Sequence, residues 1–314
     1  MRYLEDVKEN EHVVEHYLCR QKQTLKTRGG KTYLSLRLSD KTGQMDAKVW
    51  EMNNDIQSFE EGDMVKIDAQ VATYQNELQL KIIKLRKSRD GEYIPLNYVP
   101  TTEKDIDMLY GEVLDFIKSV QHPKLRALLE GILINDETQA EAFRVRSAAK
   151  QMHHSYMGGL IEHTLNVAQI CDFMSTRYKH VNRDLLITSA LLHDIGKIYE
   201  LSPMPMNDYT DDGQMLGHIT IGVEMISEEV RNIADFPHDL ASLLKHSILA
   251  HHGEYDFGSP KLPSTIEAFL LHCADNMDAK LKSFEEILDK DSTAGSWTGY
   301  QKVFNRYIRR SDFS

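Results

Sequence analysis

The sequence predicts a chain of two domain classes, an all-β barrel over residues 1–90 and, beyond a linker at 91–102, an all-α domain over residues 103–314. Three observations carry this expectation. Residues 12–90 alternate apolar and polar positions with a period of two between turn signals. After residue 103 the apolar spacing changes to that of helices. Within that second part, Leu185-Leu186-Ile187-Thr188-Ser189-Ala190-Leu191-Leu192 runs an almost wholly apolar helix into His193-Asp194, so two ligand-type side chains are expected in a buried place.

The 314 residues are 41% hydrophobic and 27% charged, as expected of a globular chain with room for two cores. The N-terminus has no apolar signal region and no uncharged apolar run is long enough to span a bilayer, so a cytoplasmic protein without membrane contact is expected. Cys19, Cys171 and Cys273 are odd in number and far apart, which excludes a disulfide framework and a cysteine zinc site. The net charge of −11 is uneven: residues 1–90 hold 16 Lys and Arg against 15 Asp and Glu, the remainder 21 against 33. That balance argues against a broad basic face for duplex nucleic acid and leaves room for a local basic groove.

In order, the strand patterns are Val13–Lys26, a hairpin tip at Arg28-Gly29-Gly30-Lys31, Tyr33–Leu38, Gln44–Trp50 after the turn Asp40-Lys41-Thr42-Gly43, Met64–Tyr74, a turn at Asn76, and Glu77–Leu85. A short helical connection is expected over Glu51–Phe59, between the third and fourth strands. Five strands in this order are those of an OB-fold barrel. Tyr33, Arg37, Lys48 and Trp50 occupy the polar phase of strands two and three, the face on which such barrels stack bases and hold phosphates, and Arg28 adds a cation at the hairpin tip. The alternative for these residues is a solvated strand face.

Gly91, Pro95 and Pro100 mark the linker. Helices are expected near 103–121, 122–134, 136–149, 158–178, 182–195, 217–231, 238–252 and 264–288, with Gly196 stopping the fifth, loops at 202–217 and 253–263 bordering a cleft, and a loosely ordered tail after Asp291. His154 and Tyr156 precede the fourth helix and are expected in an exposed loop. His163 falls on an inward stripe with Leu160, Val167 and Cys171, and Asp275 interrupts the apolar run Phe269–Ala274. Alone, each His or Asp reads as structural. A buried carboxylate needs a strong partner, and a divalent cation is the simplest.

Taken together, His163, His193-Asp194, His218, His251-His252 and Asp275 form an H…HD…H…H…D series on successive helices, which resembles the HD-domain metal-dependent phosphohydrolases over about residues 110–290. The resemblance is most specific at Gly158-Gly159-Leu160-Ile161-Glu162-His163-Thr164, at Leu191–Lys197 and at His251-His252-Gly253. With an OB-fold ahead of it, the whole chain resembles the YhaM family of 3′-5′ exoribonucleases. That resemblance implies shortening of single-stranded RNA, and of single-stranded DNA, from the 3′ end with Mn²⁺ or Co²⁺, and a homo-oligomer. It further implies two ions, one on His163, His193, Asp194 and Asp275, the other on Asp194, His218 and either His251 or His252. Imidazole and carboxylate donors without thiolate suit Mn²⁺, Co²⁺, Fe²⁺ or Zn²⁺, and the residues themselves do not choose among them. Asp194 is then also catalytic, Lys197 stands where it could touch a phosphate oxygen or serve the helix dipole, and the second histidine of the 251–252 pair could protonate a leaving group. Two other readings compete: a hydrolase of small nucleotides, disfavoured by the barrel, and a nucleic-acid-binding adaptor with an inactive HD site, disfavoured by the intact ligand series.

Overall fold

The computed structural model describes residues 1–311 apart from 28, 76, 90, 95, 96, 151–153 and 294, so the expected cation Arg28, the turn at Asn76 and the linker residue Pro95 lie outside the described residues. The chain divides into two compact units, one of residues 1–101 with 203–207, the other of residues 102–202 with 208–314.

The first unit is a closed barrel of β1 (His12–Lys26), β2 (Thr32–Ser39), β3 (Gln44–Val49), β4 (Met64–Tyr74) and β5 (Glu77–Lys87), in spatial order β1-β2-β3-β5-β4. All neighbours are antiparallel except β3 and β5. The alternation predicts the interior: Leu34, Leu36 and Leu38 of β2 are buried with Val65, Ile67, Ala69 and Val71 of β4. This is the five-stranded OB topology.

One expectation fails here. Glu51–Phe59 is not helical: Asn53 turns the chain by accepting from Asp55 N, and the segment then bonds to β5 through Gln57 N to Leu85 O and Leu85 N to Asp55 O. The Asn-Asn-Asp cluster competes with helix for its own backbone, and Phe59 is buried in the barrel instead. Beyond β5, Tyr98 is buried against Leu18 and Met64, and the Tyr3 hydroxyl donates to Asn97.

The second unit is helical: α1 (Ile106–Ser119), α2 (Pro123–Glu130) running on into a π-helical turn (Gly131–Asn135), α3 (Glu137–Val145), α4 (Gly159–Ser175), α5 (Arg183–Leu192), α6 (Lys197–Glu200), α7 (Asp211–Met215), α8 (Gly217–Asn232), α9 (His238–Ala250) and α10 (Ile266–Lys290). α5 is buried on every side, as its composition requires, and packs against α2, α4, α9 and α10. Asn182 caps its start by accepting from Leu185 N. No helix among the described residues is long and apolar enough to cross a membrane.

The tail differs from expectation. Residues 297–309 fold back as an antiparallel pair, with bridges Trp297 to Arg309 and Gln301 to Arg306, and Ile308 and Thr298 are buried. Arg310 holds it by donating to Asp291 at 2.8 Å, and Phe304 packs on Phe284 of α10. Its Gly- and Ser-rich start concealed these anchors, which act at a distance in sequence.

Gly196 does not stop a helix by a left-handed turn either. Its backbone is right-handed helical, φ −60° and ψ −18°, and α6 begins at the next residue. Glycine is required because a Cβ there would lie 2.1 Å from the His218 carbonyl oxygen and 2.7 Å from Gly222 N, so α6 and α8 meet backbone to backbone.

Candidate metal centre

Five helices deliver the predicted ligands to one place. α4 supplies His163, the C-terminus of α5 His193 and Asp194, the first turn of α8 His218, the end of α9 His251 and His252, and α10 Asp275. His193, Asp194 and His251 are at most 2% exposed. The Asp194 carboxylate lies between two groups. Its Oδ2 is 3.4 Å from His163 Nε2 and 3.4 Å from His193 Nε2, while its Oδ1 is 3.5 Å from His218 Nε2 and 3.6 Å from His251 Nε2. Asp275 Oδ1 joins the first group at 3.2 Å from His163 Nε2. His252 joins the second, so that His218, His251 and His252 form one cluster of ligand atoms and His163, His193 and Asp275 another.

Every one of these rings has its other nitrogen engaged. His163 Nδ1 faces Asp278 Oδ2 at 2.7 Å, His193 Nδ1 the Ala190 carbonyl at 2.8 Å and His218 Nδ1 Glu200 Oε1 at 2.9 Å. His251 Nδ1 faces the Ile248 carbonyl at 2.7 Å and His252 Nδ1 the Phe257 carbonyl at 2.8 Å. An acceptor at Nδ1 fixes the proton there and leaves the Nε2 lone pair aimed inward, the orientation a metal ligand needs. Asp194 Oδ1, His218 Nε2 and His251 Nε2 are buried and have no hydrogen-bond partner. Inward lone pairs and an orphaned carboxylate oxygen fit a divalent cation, since such groups are otherwise costly to bury.

Charge agrees with geometry. Burial opposes ionisation of Asp194, yet Lys197 and His193 hold its carboxyl well below the usual range. Burial likewise opposes a charged ring at His163, but Asp194, Asp275 and Asp278 push its proton affinity well above the ordinary value. A divalent cation would provide the positive charge these carboxylates demand and displace that proton. Burial lowers the basicity of His251 and His252, which keeps both rings neutral and available as donors of a lone pair.

Residues 160–280 match the HD domain family and residues 19–87 the OB-fold nucleic acid binding domain family. The chain is 32% identical to the 3′-5′ exoribonuclease YhaM of Geobacillus sp. (strain WCH70), over 83% of this chain and 80% of that protein. The chain belongs to the YhaM 3′-5′ exoribonuclease family. The same named protein of Halalkalibacterium halodurans is 32% identical over 83% of this chain and 81% of its own, and that of Listeria innocua 31% over 88% and 86%. An HD domain of this family binds divalent metal, and the His and Asp clusters are where this chain offers the donors.

The remaining expected residues fall as follows. Lys197 opens α6 and places Nζ 2.6 Å from Asp194 Oδ2, so it is an ion-pair partner of that carboxylate. On the barrel, Tyr33 and Trp50 stack at 4.7 Å and 23°, with Trp50 38% exposed. Arg37 bonds Asp46 at 3.1 Å and Lys48 bonds Ser35 at 2.6 Å, so both cations are held across the strand pair.

Sequence reasoning missed the supports. Asp278 accepts from His163 and from His154 Nε2 at 2.9 Å, and Asn166 Nδ2 donates to its other oxygen at 2.9 Å. The expectation of an exposed loop at His154 and Tyr156 is overturned. His154 is fully buried, and the Tyr156 hydroxyl lies 2.9 Å from its Nδ1 and donates to Glu162. The signal was the three-residue spacing from Asp275 to Asp278, which puts both on one face of α10. Asp278→Asn should therefore weaken metal binding by about 10–100-fold, because the amide no longer holds the His163 proton at Nδ1 as an anion does. Calorimetric titration with Mn²⁺ checks this, and an unchanged affinity would remove Asp278 from the site.

Proposed function

We propose that this chain is a two-metal, divalent-cation-dependent exonuclease that shortens single-stranded RNA, and single-stranded DNA, from the 3′ end and releases nucleoside 5′-monophosphates. The observation that carries the reading is the two-sided environment of Asp194, with a separate ligand cluster at each carboxylate oxygen. His163, His193, Asp194 and Asp275 would hold one ion, and Asp194, His218, His251 and His252 the other. When bound, such ions, Mn²⁺ first and Co²⁺, Fe²⁺ or Zn²⁺ with the same donors, supply polarisation of a phosphodiester and activation of water.

The chain's own groups do the rest. Asp278, Glu200 and the carbonyls of Ala190, Ile248 and Phe257 fix the tautomer and aim of each ligand ring. Lys197 balances the charge of Asp194 and puts an ammonium beside the place where a phosphate would sit, so it is a candidate catalytic cation. The stacked Tyr33 and Trp50 offer a surface to bases of a single strand. The reading includes a homo-oligomer working in the cytoplasm, which sedimentation and cell fractionation would test.

Polarity comes from the family and has a direct test. A 5′-labelled single strand incubated with Mn²⁺ should give a ladder of progressively shorter labelled products, and a 3′-terminal hairpin should suppress it. Immediate release of labelled mononucleotide, or cutting of a circular strand, would contradict the proposal, and hydrolysis of free nucleotides alone would favour a small-nucleotide hydrolase.

A further inference from the structure

Outside the metal centre, the most unusual surface is the C-terminal hairpin. Residues 292–311 contain Lys302, Arg306, Arg309 and Arg310 and no acidic residue, within a second unit whose sequence is otherwise strongly acidic; the next acid in the chain is Asp312. Arg310 is committed to Asp291, whereas Lys302, Arg306 and Arg309 make no ion pair among the described residues. Between them stand aromatic rings in the open: Trp297 is 51% exposed, Tyr300 49% and Tyr307 59%. The Arg309 guanidinium lies over the Trp297 ring at 5.9 Å, and Tyr300 and Tyr307 meet edge to face at 5.3 Å.

The hairpin is a fixed platform. Ile308 and Thr298 are buried beneath it, Thr298 N donates to the Ile308 carbonyl, Phe304 packs on Phe284, and Arg310 ties its end to Asp291. Rings held in place lose little entropy when a partner covers them, and cations beside π-faces suit a polyanion whose bases are unpaired. The hairpin also lies beyond residues 160–280, the span matched by the HD family.

We propose that this hairpin is a second single-strand-binding subsite, in which Trp297, Tyr300 and Tyr307 stack bases of the substrate and Lys302, Arg306 and Arg309 bind its phosphates. The proposal rests on the exonuclease reading for its ligand. Open aromatic faces beside the cations select the occupant: another copy of this acidic chain would meet the charges but offers no free bases to stack, and a duplex keeps its bases paired, whereas a single strand satisfies both. α10 joins the platform to the metal centre: Asp275 and Phe284 lie nine residues apart on it, which at 1.5 Å per residue is about 13 Å along the axis.

The test uses the full chain, with binding measured by fluorescence anisotropy in EDTA and hydrolysis measured in Mn²⁺. Trp297→Ala/Tyr307→Ala is expected to weaken binding of a single strand of about 20 nucleotides at least tenfold, while a dinucleotide is hydrolysed as by the parent. Lys302→Gln/Arg306→Gln/Arg309→Gln should flatten the plot of log affinity against log salt by about two in slope, since each phosphate that a cation neutralises on a single strand adds about 0.7. A changed salt slope is not produced by a merely structural role. If the parent binds and cuts RNA but both variants keep its affinity and slope, the subsite is wrong and the exonuclease reading stands. If instead the aromatic variant changes the sedimentation coefficient and leaves RNA affinity alone, the hairpin is an interface between copies and the proposal falls. If the parent itself neither binds nor cuts single strands, the underlying reading fails first.

Discussion

Asp194→Asn is expected to lose metal from both clusters together and to reduce hydrolysis by more than about a hundredfold, since even groups that only support a metal ligand cost 10–100-fold when removed. The reasoning is local. Each oxygen of this carboxylate faces a different pair of imidazole nitrogens within 3.4–3.6 Å, so no single-cluster ligand can replace it. An amide keeps the volume, loses the charge, and turns an N–H₂ donor toward one cluster, where only acceptors are wanted. Stability should fall as well, because Lys197 Nζ, 2.6 Å away and well enclosed, would be left without its anion. The double variant Asp194→Asn/Lys197→Met separates these effects: melting temperature should recover and metal content should not. Elemental analysis after gel filtration gives the readout. One metal retained at full occupancy would show that Asp194 serves a single cluster, and the two-sided assignment would be abandoned.

The legible parts of the fold were those governed by short-range periodicity. Alternation along Tyr33–Leu38 fixed which side of β2 faces the barrel interior, and the unbroken apolar run 185–192 marked α5 as central and buried. The series His163, His193-Asp194, His218, His251-His252 and Asp275 stood out because metal chemistry uses few residue types, and the fold brings these seven side chains together. What stayed hidden depends on distant partners. Glu51–Phe59 follows hydrogen bonds to β5, the tail follows Arg310 and Asp291, and His154 owes its burial to Asp278, 124 residues away. The left-handed turn at Gly253 is a further case, since any Cβ there would strike the His272 ring, which itself bonds the His251 carbonyl. Nothing in the local pattern at 251–253 announces that neighbour. The same limit explains the reading of Gly196 as a helix stop: its local sequence fits one, and the reason for glycine lies on α8.

Gly196→Ala follows from that reason and should be among the most destabilising single-methyl changes in the chain. Local propensity points the other way, because Gly196 has ordinary helical angles and alanine is the better helix former. The close approach outweighs it: an added Cβ would stand 2.1 Å from the His218 carbonyl oxygen and 2.7 Å from Gly222 N, both backbone atoms that cannot rotate away. Relief requires α8 to move outward, at about 1–3 kcal/mol for overpacking, which for a unit of this size lowers the melting temperature by about 2–12 °C. His218 moves with α8, and its Nε2 leaves the 3.5 Å approach to Asp194 Oδ1 while His163 and His193 stay in place. Metal bound at the His218 side should therefore weaken selectively. Gly111→Ala in α1 is the control, since a Cβ there meets nothing within 4 Å and the change should be neutral or slightly stabilising. Calorimetric melting with Mn²⁺ titration of both variants decides the matter: a Gly196→Ala protein that melts with the parent and binds metal at full stoichiometry would show that α6 and α8 are not held backbone to backbone.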